Sequence, residues 1–125
     1  MNTIETFHAR LRGEGEGHSD IREHLVTLRL LAERCDHITE FGVRTGNSTI
    51  AFLAGLWILG DLVSYDINEP AFSAPADMAS RWKFFRADTA QLTDIAPTDL
   101  LFIDTAHTYA QVKAELRHEI GRAHV

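Results

Sequence analysis

The sequence predicts an α/β fold: a parallel sheet of about four strands with flanking helices, in three layers, α/β/α. Three observations carry that prediction. Four short apolar runs recur along the chain, "HITEFG", "LVSYDIN", "KFFRAD" and "LLFID". Each is too short for a globular helix and rich in β-branched or aromatic residues, as strands are. Helix-compatible segments separate them, and strand–helix alternation builds parallel sheets with crossover helices. Finally, an acidic residue stands at or just past the carboxyl end of each run: Glu40, Asp66, Asp88 and Asp104.

Taken in order, residues 3–12 fit a short helix, and "GEGEG" at 13–17 is a flexible break. "SDIREHLVTLRLLAERC" then opens on Ser19 or Asp20 as N-cap, with Asp20 and Glu23 at capping-box spacing. Ile21, Leu25, Leu28 and Leu31 form its core-facing stripe. Between the first and second strands, residues 48–59 read as helix, and between the second and third, residues 71–81. A brief helical piece follows Asp88, and "TYAQVKAELRHEI" is a longer helix after the fourth strand. "LLFI" is apolar on both faces, as an inner parallel strand should be.

Composition narrows the function. The 125 residues are 45% hydrophobic and 24% charged, values of an ordinary globular domain. A formal net charge of −6 and the lack of any Lys/Arg-rich run argue against a nucleic-acid backbone as partner. Cys35 is the sole cysteine, so there is neither a disulfide framework nor a cysteine metal cluster. The longest apolar run, residues 50–59, is too short to span a bilayer. The N-terminus lacks the apolar core of a signal peptide, which makes a cytoplasmic location the default expectation. Trp57 and Trp82 read as packing residues, and Tyr109 as either a pocket or a packing residue.

The stretch "EFGVRTGNST" is the strongest local signal. Gly42 ends the first strand and Gly46 sits in the turn, where glycine permits positive φ and close approach of a ligand. Asn47 or Ser48 can cap the helix that follows. By itself this turn fits a plain strand–helix connection as well as it fits a cofactor loop. Spacing excludes some ligands. A third glycine of G-x-G-x-x-G is missing, and Gly46 is followed by Asn47 rather than the lysine of a phosphate-binding loop. Asp66 ends the second strand, 24 residues after Gly42, where a carboxylate can accept from both hydroxyls of a ribose. A nucleoside without a pyrophosphate matches this pattern.

With those residues in hand, the chain resembles a class I S-adenosylmethionine-dependent methyltransferase. "EFGVRTGNST", "VSYDIN" and "FFRADT" resemble the family's first three motifs. "LLFIDTAHTYAQVKAEL" resembles the fourth strand and helix of the small-molecule and sugar O-methyltransferases, with their I-D-x-x-H-x-Y pattern. The resemblance covers roughly residues 20–118. It implies a Rossmann-like sheet, of which this chain would hold part. It implies further that Gly42, Gly46, Ser48 and the backbone around them border S-adenosylmethionine. Glu40 would hold the amino group of the methionine part through water, Asp66 the ribose and Asp88 the adenine. Asp104 would lie beside the sulfonium and the methyl acceptor. His107 is either the general base that deprotonates the acceptor or an exposed residue opening the next helix. Related enzymes use a divalent cation such as Mg, for which Asp104 is a candidate ligand. Their D-x-D pattern is absent, because Asp104 is followed by Thr105 and Ala106. The [DNS]-P-P-[YF] motif of nucleic-acid methyltransferases is absent too.

The expected organisation is an N-terminal helix and linker at 1–18, a partial methyltransferase cofactor-binding domain at 19–119, and a non-native tail at 120–125. The family sheet has seven strands, and four are expected here, so the chain reads as C-terminally truncated. "EIGRAHV" can be encoded by a nucleotide string that matches a common sequencing adapter, which motivates the tail assignment. The expected function is methyl transfer to a hydroxyl of a small molecule or sugar, with homo-oligomerisation left open. Its alternative is a non-catalytic nucleoside- or cofactor-binding module. A dehydrogenase-like domain is disfavoured by the missing third glycine.

Overall fold

The computed structural model describes residues 1–12 and 19–104, with side chains described throughout except at 19–22. The expected helix after the fourth strand, Tyr109, His107 and the tail lie outside the described residues.

Two helices precede the sheet. Helix α1, Thr3–Leu11, is closed at its start by a capping box between Asn2 and Glu5 that the sequence reading missed. Helix α2 spans Ser19–Ala32. Leu25, Leu28 and Ala32 are its buried positions, whereas Leu31 is exposed, so the apolar stripe is rotated from the expected one. Strand β1, His37–Phe41, leads through the glycine turn to helix α3, Asn47–Gly55. Strand β2, Asp61–Asp66, strand β3, Trp82–Arg86, and strand β4, Leu100–Ile103, are the other strands among the described residues.

Two helix expectations need correction. α3 stops at Gly55 rather than running to Leu59. There it crosses α2 so closely that a Cβ on Gly55 would lie 2.1 Å from the Arg29 carbonyl oxygen. Residues 71–81 form only a 3₁₀ turn, Ala79–Arg81. Pro75 interrupts the segment, removing an N–H and disfavouring helical backbone at residue 74. After Asp88 a second 3₁₀ turn, Thr89–Gln91, stands where the brief helical piece was expected.

All four strands are parallel, in the order β3-β2-β1-β4. The chain moves outward from β1 to β2 to β3, then returns to the far side of β1. The direction of strand order therefore reverses between β1 and β4. Register decides which side chains share a face, because alternate residues point to opposite sides. Ile38 pairs with Leu62 and Leu100, and Leu62 with Trp82, so these four share a face. They pack with Phe7, Leu25, Leu28, Ile50, Phe52 and Leu53 in one core. The described helices thus cover this side. Phe41, Tyr65 and Phe85 share the opposite face, their rings in contact at 5.8 and 5.6 Å. Because β3 and β4 lie at opposite ends of the sheet formed by the described residues, the connection between them must cross it, and within that connection Ile95 is buried.

Candidate functional site

The carboxyl ends of parallel strands converge where the strand order reverses, and ligands bind open α/β sheets at that edge. A cleft of about 380 Å³ lies there. Gly42 lines it after β1, Asp66 to Glu69 at the end of β2, Ala87 to Thr89 after β3, and Asp104 after β4.

The glycine turn is built from three left-handed residues, Gly42, Arg44 and Gly46, with φ of 97°, 53° and 85°. Arg44 pays the steric cost that glycine avoids. Backbone bonds fasten the turn on both sides. Gly42 N–H donates to the Tyr65 carbonyl at 2.7 Å, and Ala71 N–H donates to the Arg44 carbonyl at 3.1 Å. The Asp66 carboxylate closes it: Oδ2 accepts from the N–H of Val43 at 2.8 Å and of Arg44 at 3.3 Å, while Oδ1 accepts from Asn68 N–H at 3.0 Å. Partial burial pushes Asp66 upward, but bonds from the Val43, Asn68, Arg44 and Ile67 amides outweigh it and hold the carboxyl below its ordinary value. Asp66 is therefore ionised at neutral pH. Asp88 caps the turn after β3, accepting from Ala90 N–H at 3.0 Å, and still lines the cleft.

The expected site residues separate into two groups. Gly42, Asp66, Asp88 and Asp104 come together in the cleft. Glu40, Gly46 and Ser48 are not among its lining residues. Glu40 lies within β1 on the helix-facing side and is fully buried. Its Oε1 accepts from Thr49 Oγ1 and from Ser64 Oγ, each at 2.7 Å, and its Oε2 accepts from Ser48 Oγ. Burial pushes Glu40 up to about 7; the three hydroxyls oppose this and the Asp104 charge adds to it. Ser48 thus bonds inward, and α3 is opened by Gly46 with no side-chain cap, contrary to the capping expected of Asn47 or Ser48. Asn47 Oδ1 instead accepts from the Arg10 guanidinium of α1. Gly46 lies under Phe72: a Cβ there would fall 2.3 Å from Phe72 Cγ.

The sequence reading missed Arg44, Ile67, Asn68, Glu69, Ala87 and Thr89 as lining residues. Ile67, Ala87 and Thr89 adjoin a residue it named, and strand ends followed by two or three loop positions were the available signal. Trp82 packs against Phe72 and Phe84 as expected, its ring N–H donating to Ser64 Oγ at 2.9 Å. Among the described residues, no three His, Cys, Asp or Glu side chains are grouped to hold a metal ion, so Asp104, the candidate cation ligand, has no ligand set among them. No described helix is long and apolar enough to cross a membrane.

A family model described as a methyltransferase domain matches residues 39–122, about two thirds of the chain. The chain belongs to this methyltransferase-domain family. The matched segment starts in β1 and takes in every residue of the cleft. The resemblance of its motifs to class I S-adenosylmethionine-dependent methyltransferases therefore holds at the level of family. Solved structures share the fold of this methyltransferase domain. An O-methyltransferase from Bacillus cereus, in complex with SAH, superposes with a TM-score of 0.57 at 19% identity, covering 93% of this chain and 59% of that one. The SAH-bound methyltransferase PaMTH1 from Podospora anserina superposes at 0.58 and 19% identity, covering 94% of this chain and 56% of its own. The methyltransferase domain described here thus spans less than two thirds of the length of either. No curated protein matches it.

Proposed function

We propose that the cleft binds S-adenosylmethionine, and that this chain is the cofactor-binding half of an enzyme that methylates a hydroxyl of a small molecule or sugar. The observation that carries the reading is the position of Asp66. An ionised carboxylate ends β2, fastens the glycine turn, and shares one cleft with Asp88 and Asp104 at the reversal of strand order. Family membership and the SAH in related folds support it.

The donor set suits the ligand. The cleft volume falls within the roughly 300–1,000 Å³ of small-molecule sites. Asp66, Glu69, Asp88 and Asp104 against Arg44 leave an excess of negative charge, which favours a cationic ligand. S-adenosylmethionine brings a methyl group already activated by a positively charged sulfur. The protein's work is then to bind and align. Gly42 lets the ligand approach the backbone closely. Asp66 has about four acceptor sites, and its weakest bond, from Arg44 N–H at 3.3 Å, is the one a ribose hydroxyl displaces. Asp88 keeps one oxygen on its cap and offers the other to an adenine amino group. Asp104 offsets the sulfonium charge beside the acceptor, and His107 is the group assigned to take up the acceptor's proton. The acidic balance of the chain weighs against a nucleic-acid acceptor.

Calorimetric titration with S-adenosylmethionine, S-adenosylhomocysteine and NAD tests the reading. Both sulfur ligands are expected to bind and NAD is not. Asp66→Ala removes an ionised hydrogen-bond acceptor, a loss of about 1.5–3 kcal/mol, or roughly 10- to 150-fold in affinity. Binding of NAD with neither sulfur ligand would refute it.

A further inference from the structure

Glu40 is a buried carboxyl for which the cleft has no direct use. It stands two residues before Gly42, on the helix-facing side of β1, and two other elements, α3 and β2, bond to it. Ser48 and Thr49 reach it from the first turn of α3, and Ser64 reaches it from β2. Trp82 of β3 donates to Ser64 in turn, at 2.9 Å. The continuous chain Trp82–Ser64–Glu40–Ser48/Thr49 therefore runs beneath the glycine turn, from the sheet to the helix that the turn opens.

We propose that Glu40 is a positioning residue, whose hydroxyl-bound carboxyl sets the seating of the glycine turn on the sheet and so the ligand affinity of the cleft, without touching the ligand. The proposal rests on the cofactor reading above. Its physical basis is a count of donors. An ionised carboxylate accepts from all three hydroxyls at once. A protonated one must itself donate, so one hydroxyl has to turn and accept instead. A change of one proton thus alters the bond that ties the first turn of α3 to β1. The groups α3 and β2 present to Glu40 are hydroxyls, and the charge that acts on it is Asp104, at the end of β4. Asp104 also lines the cleft. A cation bound beside Asp104 favours ionised Glu40, and by linkage ionised Glu40 favours the cation.

The test uses two readouts. Trp57→Phe leaves Trp82 as the only tryptophan of the chain, and its fluorescence is followed from pH 5 to 9 without ligand. A transition near pH 7 is expected, absent when Glu40→Gln is added, with circular dichroism confirming that the variant is folded. Calorimetry then follows S-adenosylmethionine binding at pH 6 and pH 8. Affinity is expected to rise by at least about fivefold in the parent and to stay level in Glu40→Gln. Were the Trp82 transition to persist in Glu40→Gln, or affinity in the parent to ignore pH, the inference would be overturned while the cofactor reading stood. A normal Trp82 transition with no binding at any pH would instead overturn the cofactor reading, and this claim about affinity with it.

Discussion

Replacing Gly46 with alanine separates two physical costs at the heart of the glycine turn. The residue has φ of 85°, which costs an L-residue roughly 1–2 kcal/mol. The new Cβ would also fall 2.3 Å from Phe72 Cγ and 2.7 Å from its Cβ. Phe72 cannot easily yield, because its ring packs edge-on against Trp82 at 5.4 Å. Displacing it is an overpacking cost of about 1–3 kcal/mol. Gly46→Ala should therefore destabilise the fold by about 2–5 kcal/mol, measured by urea unfolding. Adding Phe72→Gly, which also removes the Cβ at 2.7 Å, relieves the clash but not the backbone strain. The double variant should be more stable than the sum of the two single losses predicts, by about 1–3 kcal/mol. Strictly additive losses, or a Gly46→Ala variant within about 0.5 kcal/mol of the parent, would refute the reasoning.

Three further outcomes follow from the same geometry. Burial raises Glu40 from 4.5 to about 7, so its contribution to stability is fully present below about pH 4.5 and lost as pH rises through about 7. The parent should lose on the order of 3 kcal/mol relative to Glu40→Gln across that window, and parallel pH-dependent unfolding curves for the two would contradict it. Gly55→Ala forces α2 and α3 apart at the Arg29 carbonyl; a loss of about 1–3 kcal/mol in urea unfolding is expected, despite the better helix propensity of alanine. Asp88→Ala removes a cap and should cost about 1 kcal/mol, whereas Asp88→Asn keeps an acceptor for Ala90 N–H and should spare stability while weakening ligand affinity in calorimetry.

The strands were legible because the strands of a parallel sheet are short, rich in apolar residues and bounded by turn residues, and all four runs appear as strands. The helices were less so. Residues 71–81 have helix-forming composition, yet Pro75 and the packing of Phe72 on Gly46 hold part of the segment in irregular backbone. α3 was read too long because Leu56, Trp57, Ile58 and Leu59 prolong its apolar run, while the contact that ends it belongs to α2. Among the acids, position relative to the strand end decided the outcome. Asp66, Asp88 and Asp104 end or follow their strands and reach the cleft. Glu40 lies one residue short of the end of β1, with the same parity as Ile38. Alternation alone would have sent it into the core, and Ser48 follows it there.

The crossing between β3 and β4 has a consequence for how the molecule assembles. β1, α3 and β2 are consecutive, and each contact among them closes a short loop. The pairing of β4 with β1 joins residues about sixty positions apart, such as Ile38 and Leu100, and such distant pairings form slowly. Asp104 reaches the cleft only through that last pairing. A chain whose first three strands had folded would hold the glycine turn and Asp66 but lack one wall, so the onset of ligand binding during refolding would report the docking of β4.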